Sequence, residues 1–440
     1  MSIMEDWSID WRLSESADFQ RATDAIIAKA WALVPKLRER AREAELLRRM
    51  PEQTMEDAKD LWNMLVPKRW GGLGLGSRAI CETARVLAHG DASSAWVLAF
   101  LIEHSHMACH LPWEAQEELF AERSFIHASA PLSPGGTATK VDRGYQLNGT
   151  FRYASGVGNA DWTFATAFVS ENGAEVPYTF LVPLNSPNVT VNDDWHMSGM
   201  AATSSASVTV DGVFIPKRYC INTEIFDSAD LHPGARHEES FMRYPPLGSI
   251  RIMVAAVSLG SAEACIGLAR ERMTQSKMFN IRRLDLPLVR VRWATALQKV
   301  RAARLIYRDL VERMITQCEA VETWSEEFTG QAELDLVTIV KLSKEAIFLG
   351  TESLGSSVFK LDDPVQRYRR DVDVMASHLF QEYDFVAERA SRVLLGLGYL
   401  STDPYPARPP RVGSRNEPES PSTTGKAWTA DREGPFRTPG

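Results

Sequence analysis

The spacing of apolar residues changes twice along this 440-residue chain, and these changes limit the folds that it can adopt. Apolar residues recur at steps of three and four in residues 18–47 and 55–65, which is the period of an amphipathic helix. Between residues 125 and 225 the period becomes two, as in half-buried strands, and from about Leu247 the helical period returns. The sequence therefore predicts an α+β protein with a helical domain at 1–124, a β-domain at 125–225 and a four-helix bundle at 240–400.

The same patterns predict where individual elements begin and end. Four long helical segments are predicted in the last part, starting near Ile250, Pro287, Ala332 and Pro364. The fourth keeps three-four spacing of its apolar residues from Val365 to Val393, which predicts one uninterrupted helix. In the β-domain, Asp211 and Gly212 follow an alternating stretch and are typical of a turn. Eight prolines among Ser, Thr, Gly and charged residues predict a disordered tail at 401–440.

The composition argues against several classes of partner. A formal net charge of −8 and a pI near 5.7 do not suit a surface for nucleic acid or anionic lipid, which needs clustered Lys and Arg. No apolar run reaches the roughly 18 residues of a membrane span, and the acidic N-terminus differs from the basic start of a signal peptide. The five cysteines are widely spaced without a C-x-x-C pair, which indicates buried thiols. We therefore expect a cytoplasmic protein that binds neither nucleic acid nor membranes.

Several short motifs follow one another in a defined order along the chain. They are Val-Pro-Lys-Arg-Trp-Gly-Gly-Leu-Gly at 66–74, Gly-Asp-Ala-Ser-Ser-Ala-Trp at 90–96, Ala-Ser-Gly at 154–156, Gly-Met at 199–200 with Thr203, Ser205 and Val208, and Val-Phe-Ile-Pro at 213–216. Together with the order of helices, strands and bundle over residues 20–400, they resemble the acyl-CoA dehydrogenase fold. Within that fold they look like its oxygen-using branch, the oxygenase components of two-component flavin-dependent monooxygenases.

The chain departs from the dehydrogenase branch at the position of the catalytic base. The resemblance implies that a dehydrogenase would carry a glutamate a few residues after the Arg370-Asp371 pair, where it removes the α-proton of a thioester substrate. That place falls near Leu379 in this chain. Glu382 lies about one helical turn further on and remains a candidate substitute.

A second departure concerns the cofactor. By the same resemblance, a dehydrogenase holds the FAD pyrophosphate with an arginine three residues before a Phe-Gly pair. Counting back from Phe279, this chain has Ser276 at the arginine position, and Asn280 stands in place of the glycine. The replacements argue against tightly held FAD, so the resemblance implies reduced FMN, or loosely held reduced FAD.

The activity that the resemblance implies is that of a reduced-flavin monooxygenase. A separate flavin reductase would supply FMNH2 or FADH2, because no NAD(P)H site is recognisable in the chain. The flavin and O2 would form a C4a-hydroperoxide that hydroxylates a phenolic or polycyclic aromatic compound. The family usually assembles as a homotetramer through its C-terminal bundle. Two alternatives stay open: an acyl-CoA dehydrogenase-type flavoenzyme or N-hydroxylase of an amine, and a flavin-fold protein that has lost catalysis and serves as a scaffold or ligand-binding subunit.

Four polar residues are candidates for this chemistry. Ser155 belongs to a Ser-Gly corner that, by resemblance, faces the flavin N5 region, where its hydroxyl would donate to the peroxide. His104 stands where these monooxygenases often carry a substrate-facing histidine. A neutral imidazole there would accept the phenolic proton, and Ser129 would hold the same oxygen. His378 is expected on a bundle helix near the place of the missing base, where it would supply or hold a proton as oxygen adds. Each residue also has a plain explanation as a turn, capping or core residue.

Other residues are candidates for binding the flavin together with Ser155. Trp195, Thr203 and Ser205 are expected along the isoalloxazine ring and ribityl chain, with the indole packed on or beside the ring. Arg251 is a candidate partner for the anionic reduced flavin or for a phosphate.

Two further patterns do not indicate the sites that they superficially suggest. The glycine-rich stretch at 71–76 follows a helix, whereas a dinucleotide-binding loop needs a preceding strand. His104, His106 and His110 are close in sequence, but His104 and His106 would diverge by about 200° on a helix. The sequence therefore predicts no metal site.

Overall fold

The structure is a computed structural model that describes residues 7–131, 133–226, 236–244, 246–320 and 325–398. Its helices are α1 (Ala17–Leu47), α2 (Glu52–Asp57), α3 (Ser77–Leu87), α4 (Ala92–Ala108), α5 (Trp113–Leu119), α6 (Thr223–Phe226), α7 (Pro246–Gln275), α8 (Pro287–Ala320), α9 (Glu326–Glu352), α10 (Pro364–Met375) and α11 (Tyr383–Leu394). Its strands are β1 (Ala128–Ser129), β2 (Gly136–Val141), β3 (Gly144–Phe151), β4 (Trp162–Glu171), β5 (Ala174–Pro183), β6 (Val189–Val191), β7 (Val208–Pro216), β8 (Cys220–Asn222), β9 (Lys277–Met278) and β10 (Ile281–Arg282). The tail predicted to be disordered lies outside the described residues.

Helices α1, α3 and α4 form the N-terminal part of the core. Helix α1 begins after Ser16, whose hydroxyl accepts the Phe19 N–H at 3.3 Å, and it buries a stripe at helical spacing that includes Ile26, Ala30, Leu33 and Leu37. Asp91 caps α4 by accepting the Ser94 N–H at 2.8 Å. Every residue of α4 is buried, so this helix runs through the interior, where it contacts β1 and α7.

The strands of the β-domain form an eight-stranded sheet in the described part of the chain. Its order is β6-β7-β3-β2-β4-β5-β8, and β1 pairs with β4 outside that path. The turn predicted at Asp211-Gly212 is wrong, because β7 continues through both residues. The pair forms a bulge opposite the segment from Leu147 to Gly149, and the Asn148 side chain accepts the Gly212 N–H at 2.7 Å. Pairing with β3 thus decides the local conformation.

The C-terminal helices pack against one another, with α9 in contact with α7, α8, α10 and α11. The prediction of one uninterrupted last helix is wrong, since residues 376–382 separate α10 from α11. Glu382 caps α11, and its carboxylate accepts the Phe385 N–H at 2.7 Å. The apolar spacing did not reveal this break because Met375 and Val386, on either side of it, pack into the same core. His378 was expected on a helix. It lies instead in the connection between α10 and α11.

Helix α7 is long and apolar enough to cross a membrane by length and composition alone. However, 89% of the apolar window within Gly248–Gln275 is buried inside the protein, as in the core helix of a soluble protein. One hydrophobic core joins all three predicted domains, with Trp62, Phe164 and Val254 among its members. The boundaries between these domains therefore stay predictions. All five cysteines are buried and unpaired.

A buried carboxyl group links α4 to α7. Glu103 Oε2 lies 3.1 Å from His106 Nδ1, and Ser249 donates a hydrogen bond to the other carboxyl oxygen. Burial raises the pKa of Glu103 to about 8. This lies above the value of about 4.3 for an unfolded glutamate, so the folded chain binds the proton more tightly. The resulting stabilisation is fully present below pH 4.3 and is lost as the pH rises through about 8.

We expect Glu103→Gln to weaken this pH dependence. The amide keeps the shape of the side chain but cannot ionise, so the variant should exceed the wild type in free energy of unfolding at pH 8.5 by roughly 1–3 kcal/mol. Urea unfolding at pH 5, 7 and 8.5 measures this difference. Glu122→Gln, at an exposed position, is the control and should follow the wild type. If the free energy of unfolding changed equally with pH in the wild type and in Glu103→Gln, the assignment of a raised pKa to Glu103 would be contradicted.

Candidate active site

A cavity of about 790 Å³ lies between the β-sheet, α4 and the connection at residues 376–382. This volume is in the range of small-molecule sites, roughly 300–1,000 Å³. Its walls are largely apolar and aromatic and include Trp96, Phe100, Trp195, Met200, Phe380 and Phe385. Five of the residues predicted to carry the chemistry or bind the cofactor also line it: Ser155, Trp195, Thr203, Ser205 and His378. The tertiary structure thus brings together residues from two distant parts of the chain.

Three hydroxyl groups form a row along one wall of this cavity. Ser155 Oγ lies 2.9 Å from Ser205 Oγ, which lies 2.7 Å from Thr203 Oγ1. The Trp96 indole N–H donates to Ser155 Oγ at 3.2 Å. Thr203 and Ser205 are buried, and Ser155 is only partly buried. Ser155 therefore presents the row to the cavity.

The backbone N–H and carbonyl of Met200 hold this wall in place. Its backbone adopts the left-handed conformation with φ 54°, and its carbonyl accepts hydrogen bonds from Trp195 Nε1 at 3.0 Å and Thr203 Oγ1 at 2.8 Å. Its N–H donates to Asp371 Oδ1 at 2.5 Å. At Gly199 a Cβ atom would lie 2.2 Å from the Arg370 carbonyl oxygen, so only glycine fits this approach to α10.

Asp371, of the Arg370-Asp371 pair, contributes a functional contact that its motif did not predict. Burial raises the pKa of its carboxyl to about 7, and the nearby Asp91 carboxylate adds to the shift. Asp371 is 171 residues from the peptide that it holds. Nothing in the local sequence signals such a contact.

His378 lines the cavity from the connection between α10 and α11. Its ring centroid lies 5.5 Å from that of Trp96 and 5.3 Å from that of Phe380. The Phe380 N–H donates to Nδ1 at 3.3 Å, which places the proton of a neutral ring on Nε2. Burial lowers the pKa of His378 to about 4, so the ring is neutral near pH 7. It can therefore donate one N–H bond without carrying charge.

His104 and Ser129 do not line the cavity, although both were predicted to contact substrate. They lie directly behind its wall: the His104 ring centroid is 5.3 Å from that of Phe100, and Ser129 precedes the lining residue Ala130. The Nδ1 atom of His104 is 2.5 Å from the Ala128 carbonyl, so it carries the proton and Nε2 is left as an acceptor. Burial lowers the pKa of His104 to about 4.

The polar atoms of this pair lack partners among the described residues. His104 Nε2 and Ser129 Oγ are both buried without a hydrogen bond in the part of the chain that the structure describes. Buried polar atoms in folded proteins are usually paired, because an unpaired one costs roughly 1–3 kcal/mol. The hydrogen-bonding capacity of these two atoms is therefore available to a partner from outside the described residues, such as a water molecule or a polar ligand group.

Arg251 does not reach the cavity either. Its Nη1 atom pairs with Glu333 Oε1 at 2.9 Å, and its guanidinium stacks over the Phe380 ring at 5.0 Å. Glu333 also pairs with Arg389. The structure therefore corrects the expectation that Arg251 is available to a flavin or a phosphate, since its guanidinium is already bound to Glu333 and packed over Phe380 outside the cavity.

The described residues that line the cavity include two carboxylates, and both are engaged elsewhere. Glu382, the candidate substitute for a dehydrogenase base, caps α11 through the Phe385 N–H. Asp373 pairs with Lys344 at 2.9 Å. The position expected for that base is occupied by Leu379, which also lines the cavity. The described lining therefore offers aromatic walls, hydroxyls and the neutral His378 in place of a free carboxylate.

Comparisons with known proteins agree with this architecture. Residues 252–383 match the family described as "Acyl-CoA dehydrogenase, C-terminal domain". The chain is 28% identical over 380 residues to a pigment production hydroxylase from Rhodococcus sp., with 84% of this chain and 96% of the relative covered. It is 27% identical to the flavin-dependent monooxygenase oxygenase subunit HsaA from Mycobacterium tuberculosis, with 82% and 92% covered.

Solved structures give the same result for the fold. The crystal structure of HsaA from M. tuberculosis superimposes with a TM-score of 0.80 at 25% identity and covers 86% of this chain and 98% of its own. XiaF from Streptomyces sp., in complex with FADH2 and glycerol, has a TM-score of 0.82 at 23% identity, with 87% and 98% covered. The fold and the resemblance inferred from the motifs are thus confirmed. This chain has the acyl-CoA dehydrogenase fold and is similar over most of its length to oxygenase subunits of flavin-dependent monooxygenases.

Proposed function

We propose that this enzyme hydroxylates a phenolic or polycyclic aromatic compound at the end of the cavity where Phe100 and Ala130 form the wall. The observation that carries this proposal is the pair of unpartnered buried atoms behind that wall, His104 Nε2 and Ser129 Oγ. A phenolic hydroxyl that reaches past this wall would donate to the first and accept from the second, which would satisfy both. An aliphatic thioester has no comparable O–H group to donate to the imidazole.

The cavity also fits a flavin. Its hydroxyl row suits the polar edge of an isoalloxazine ring, and the indoles of Trp96 and Trp195 suit the ring faces. Ser155, Thr203, Ser205, Trp195 and His378 would hold the cofactor. A bound reduced flavin supplies the two electrons that activate O2 for transfer of one oxygen atom. We favour reduced FMN over reduced FAD because Ser276 and Asn280 replace the residues that dehydrogenases use to hold the pyrophosphate.

The protein contributes hydrogen bonds and a dry environment. His104, neutral and with its proton fixed on Nδ1 by the Ala128 carbonyl, accepts a hydrogen bond from the phenolic O–H at Nε2 and would take up the proton as the aromatic ring attacks the oxygen. Ser129 orients the same oxygen. His378 donates from Nε2 where it lines the cavity, and Ser155 donates or accepts through its hydroxyl at the sheet wall. The apolar walls exclude water that would compete for the transferred oxygen.

We also propose a cytoplasmic homotetramer. The five buried, unpaired cysteines suit a reducing compartment. On α8, Leu288, Val291 and Leu305 are 72%, 60% and 60% exposed, which suits burial against another copy of the bundle. Light scattering coupled to size-exclusion chromatography tests the assembly.

A reconstitution experiment tests the activity. The purified protein, a flavin reductase and NADH are mixed under ¹⁸O2 with FMN or FAD and a panel of phenols, and products are analysed by mass spectrometry. We expect a hydroxylated product that carries one ¹⁸O atom and depends on both proteins. Anaerobic oxidation of an acyl-CoA with a dye acceptor would instead support a dehydrogenase. Incorporation of ¹⁸O into a hydroxylamine product would support an N-hydroxylase. Binding of the reduced flavin without formation of any product would support a scaffold.

A further inference from the structure

The hydroxyl row of Ser155, Ser205 and Thr203 ends on the Met200 carbonyl and can be hydrogen-bonded in two directions. Consecutive oxygen atoms are separated by 2.9, 2.7 and 2.8 Å along this path. Each hydroxyl has one proton to donate and lone pairs to accept. The direction in which one hydroxyl donates therefore fixes the direction of the next.

In the inward order, every proton points away from the cavity. Ser155 donates to Ser205, Ser205 to Thr203, and Thr203 to the Met200 carbonyl. The Trp96 N–H already donates to Ser155. Ser155 then has no proton left for a ligand and offers only a lone pair.

In the outward order, every proton points toward the cavity. Thr203 donates to Ser205 and Ser205 to Ser155, so the Ser155 proton is free to be donated to a ligand. The Met200 carbonyl loses one donor, but it still accepts from Trp195 Nε1 at 3.0 Å and from the Thr203 backbone N–H at 3.1 Å. In both orders the buried Ser205 and Thr203 hydroxyls and the Met200 carbonyl keep hydrogen-bond partners, and the outward order leaves the Ser155 proton to a ligand.

We propose that reversal of this row lets Ser155 bind both redox states of the flavin, and that Thr203 sets the balance between them. The N5 atom of a flavin carries a hydrogen in the reduced form and a lone pair in the oxidised form. The inward order matches the reduced form and the outward order matches the oxidised form. The reversal needs only rotation of three hydroxyls, with no proton or electron leaving the row. This inference rests on the proposed function, since it requires that the flavin ring contacts Ser155.

The substitution Thr203→Val tests the proposal because it removes the inner acceptor while keeping the side-chain shape. The Ser205 proton then has only Ser155 as a partner within the row, which favours the outward order. We expect the affinity for oxidised FMN to rise relative to reduced FMN by roughly three- to tenfold. A tenfold change would lower the midpoint potential of bound FMN by about 30 mV.

The affinity for each redox state of FMN is measured from the quenching of tryptophan fluorescence, and the titration with reduced FMN is carried out anaerobically. The midpoint potential of bound FMN is measured by equilibration with a redox dye. Thr203→Ser keeps the hydroxyl and should retain the wild-type ratio of affinities. Ser205→Ala interrupts the row at another point and should shift the ratio in the same direction as Thr203→Val. Equal weakening of both states by Thr203→Val, or a shift toward reduced FMN, would overturn the role of Thr203. If the wild type binds neither redox state of FMN or FAD, the proposed function itself fails.

Discussion

Replacement of His104 by alanine is expected to lower the rate of aromatic hydroxylation by about 10²–10⁴-fold, the usual cost of losing a general base. The wild-type imidazole is neutral near pH 7, because burial lowers its pKa to about 4, and its Nε2 atom has no partner among the described residues. Alanine removes this acceptor and leaves Ser129 as the remaining contact to the phenolic oxygen. Reduced flavin and O2 should still react, so the lost product should appear as H2O2.

The pH dependence distinguishes a base from a packing residue. A free phenol has a pKa near 10, so substrate deprotonates without help as the pH approaches that value. The ratio of wild-type to His104→Ala rates should therefore fall steadily between pH 7 and 9.5. His104→Gln, which keeps a neutral acceptor but not a base, should show the same trend with a smaller deficit. A ratio that stays constant across this range would show that His104 only shapes the pocket.

The second large effect is expected from Ser155→Ala, which should increase the H2O2 released per reduced flavin by roughly tenfold, consistent with a lost hydrogen bond of about 1.5 kcal/mol. Ser155 is the partly buried member of the hydroxyl row and presents it to the cavity, whereas Thr203 and Ser205 are 1% and 5% exposed. Without its hydroxyl, the remaining two groups are too deep to replace it. Oxygen would then leave as peroxide before it reaches the substrate.

Product and H2O2 are quantified together for a known amount of reduced FMN, so that coupling is measured independently of the overall rate. Ser170→Ala, at an exposed position of strand β4, is the matched control and should retain wild-type coupling. Unchanged coupling in Ser155→Ala would place the serine outside the oxygen-handling part of the site. A loss of FMN binding without a change in coupling would assign it to cofactor binding alone.

The sequence by itself determined the order of elements and the residues of the sheet wall. Trp195, Thr203 and Ser205 fall within eleven positions of the sequence, so the resemblance of this short stretch to the monooxygenases was enough to group them. Ser155 could be added because its Ser-Gly corner is another short motif that resembles the same family. The long helical periods likewise located α7, α8 and α9, since apolar spacing reports burial along a single element.

Only the tertiary structure decided which distant groups meet and which are already occupied. The chain leaves α10 after Met375 and starts α11 after the Glu382 cap, which puts His378 in the connection between them. The bulge at Gly212 depends on the pairing of β7 with β3. Asp371 accepts a hydrogen bond from the Met200 N–H, while Arg251 is paired with Glu333. Such outcomes depend on the distances between side chains far apart in sequence and on the cost of burying an unpaired charge, and neither quantity is encoded in a local pattern of residues.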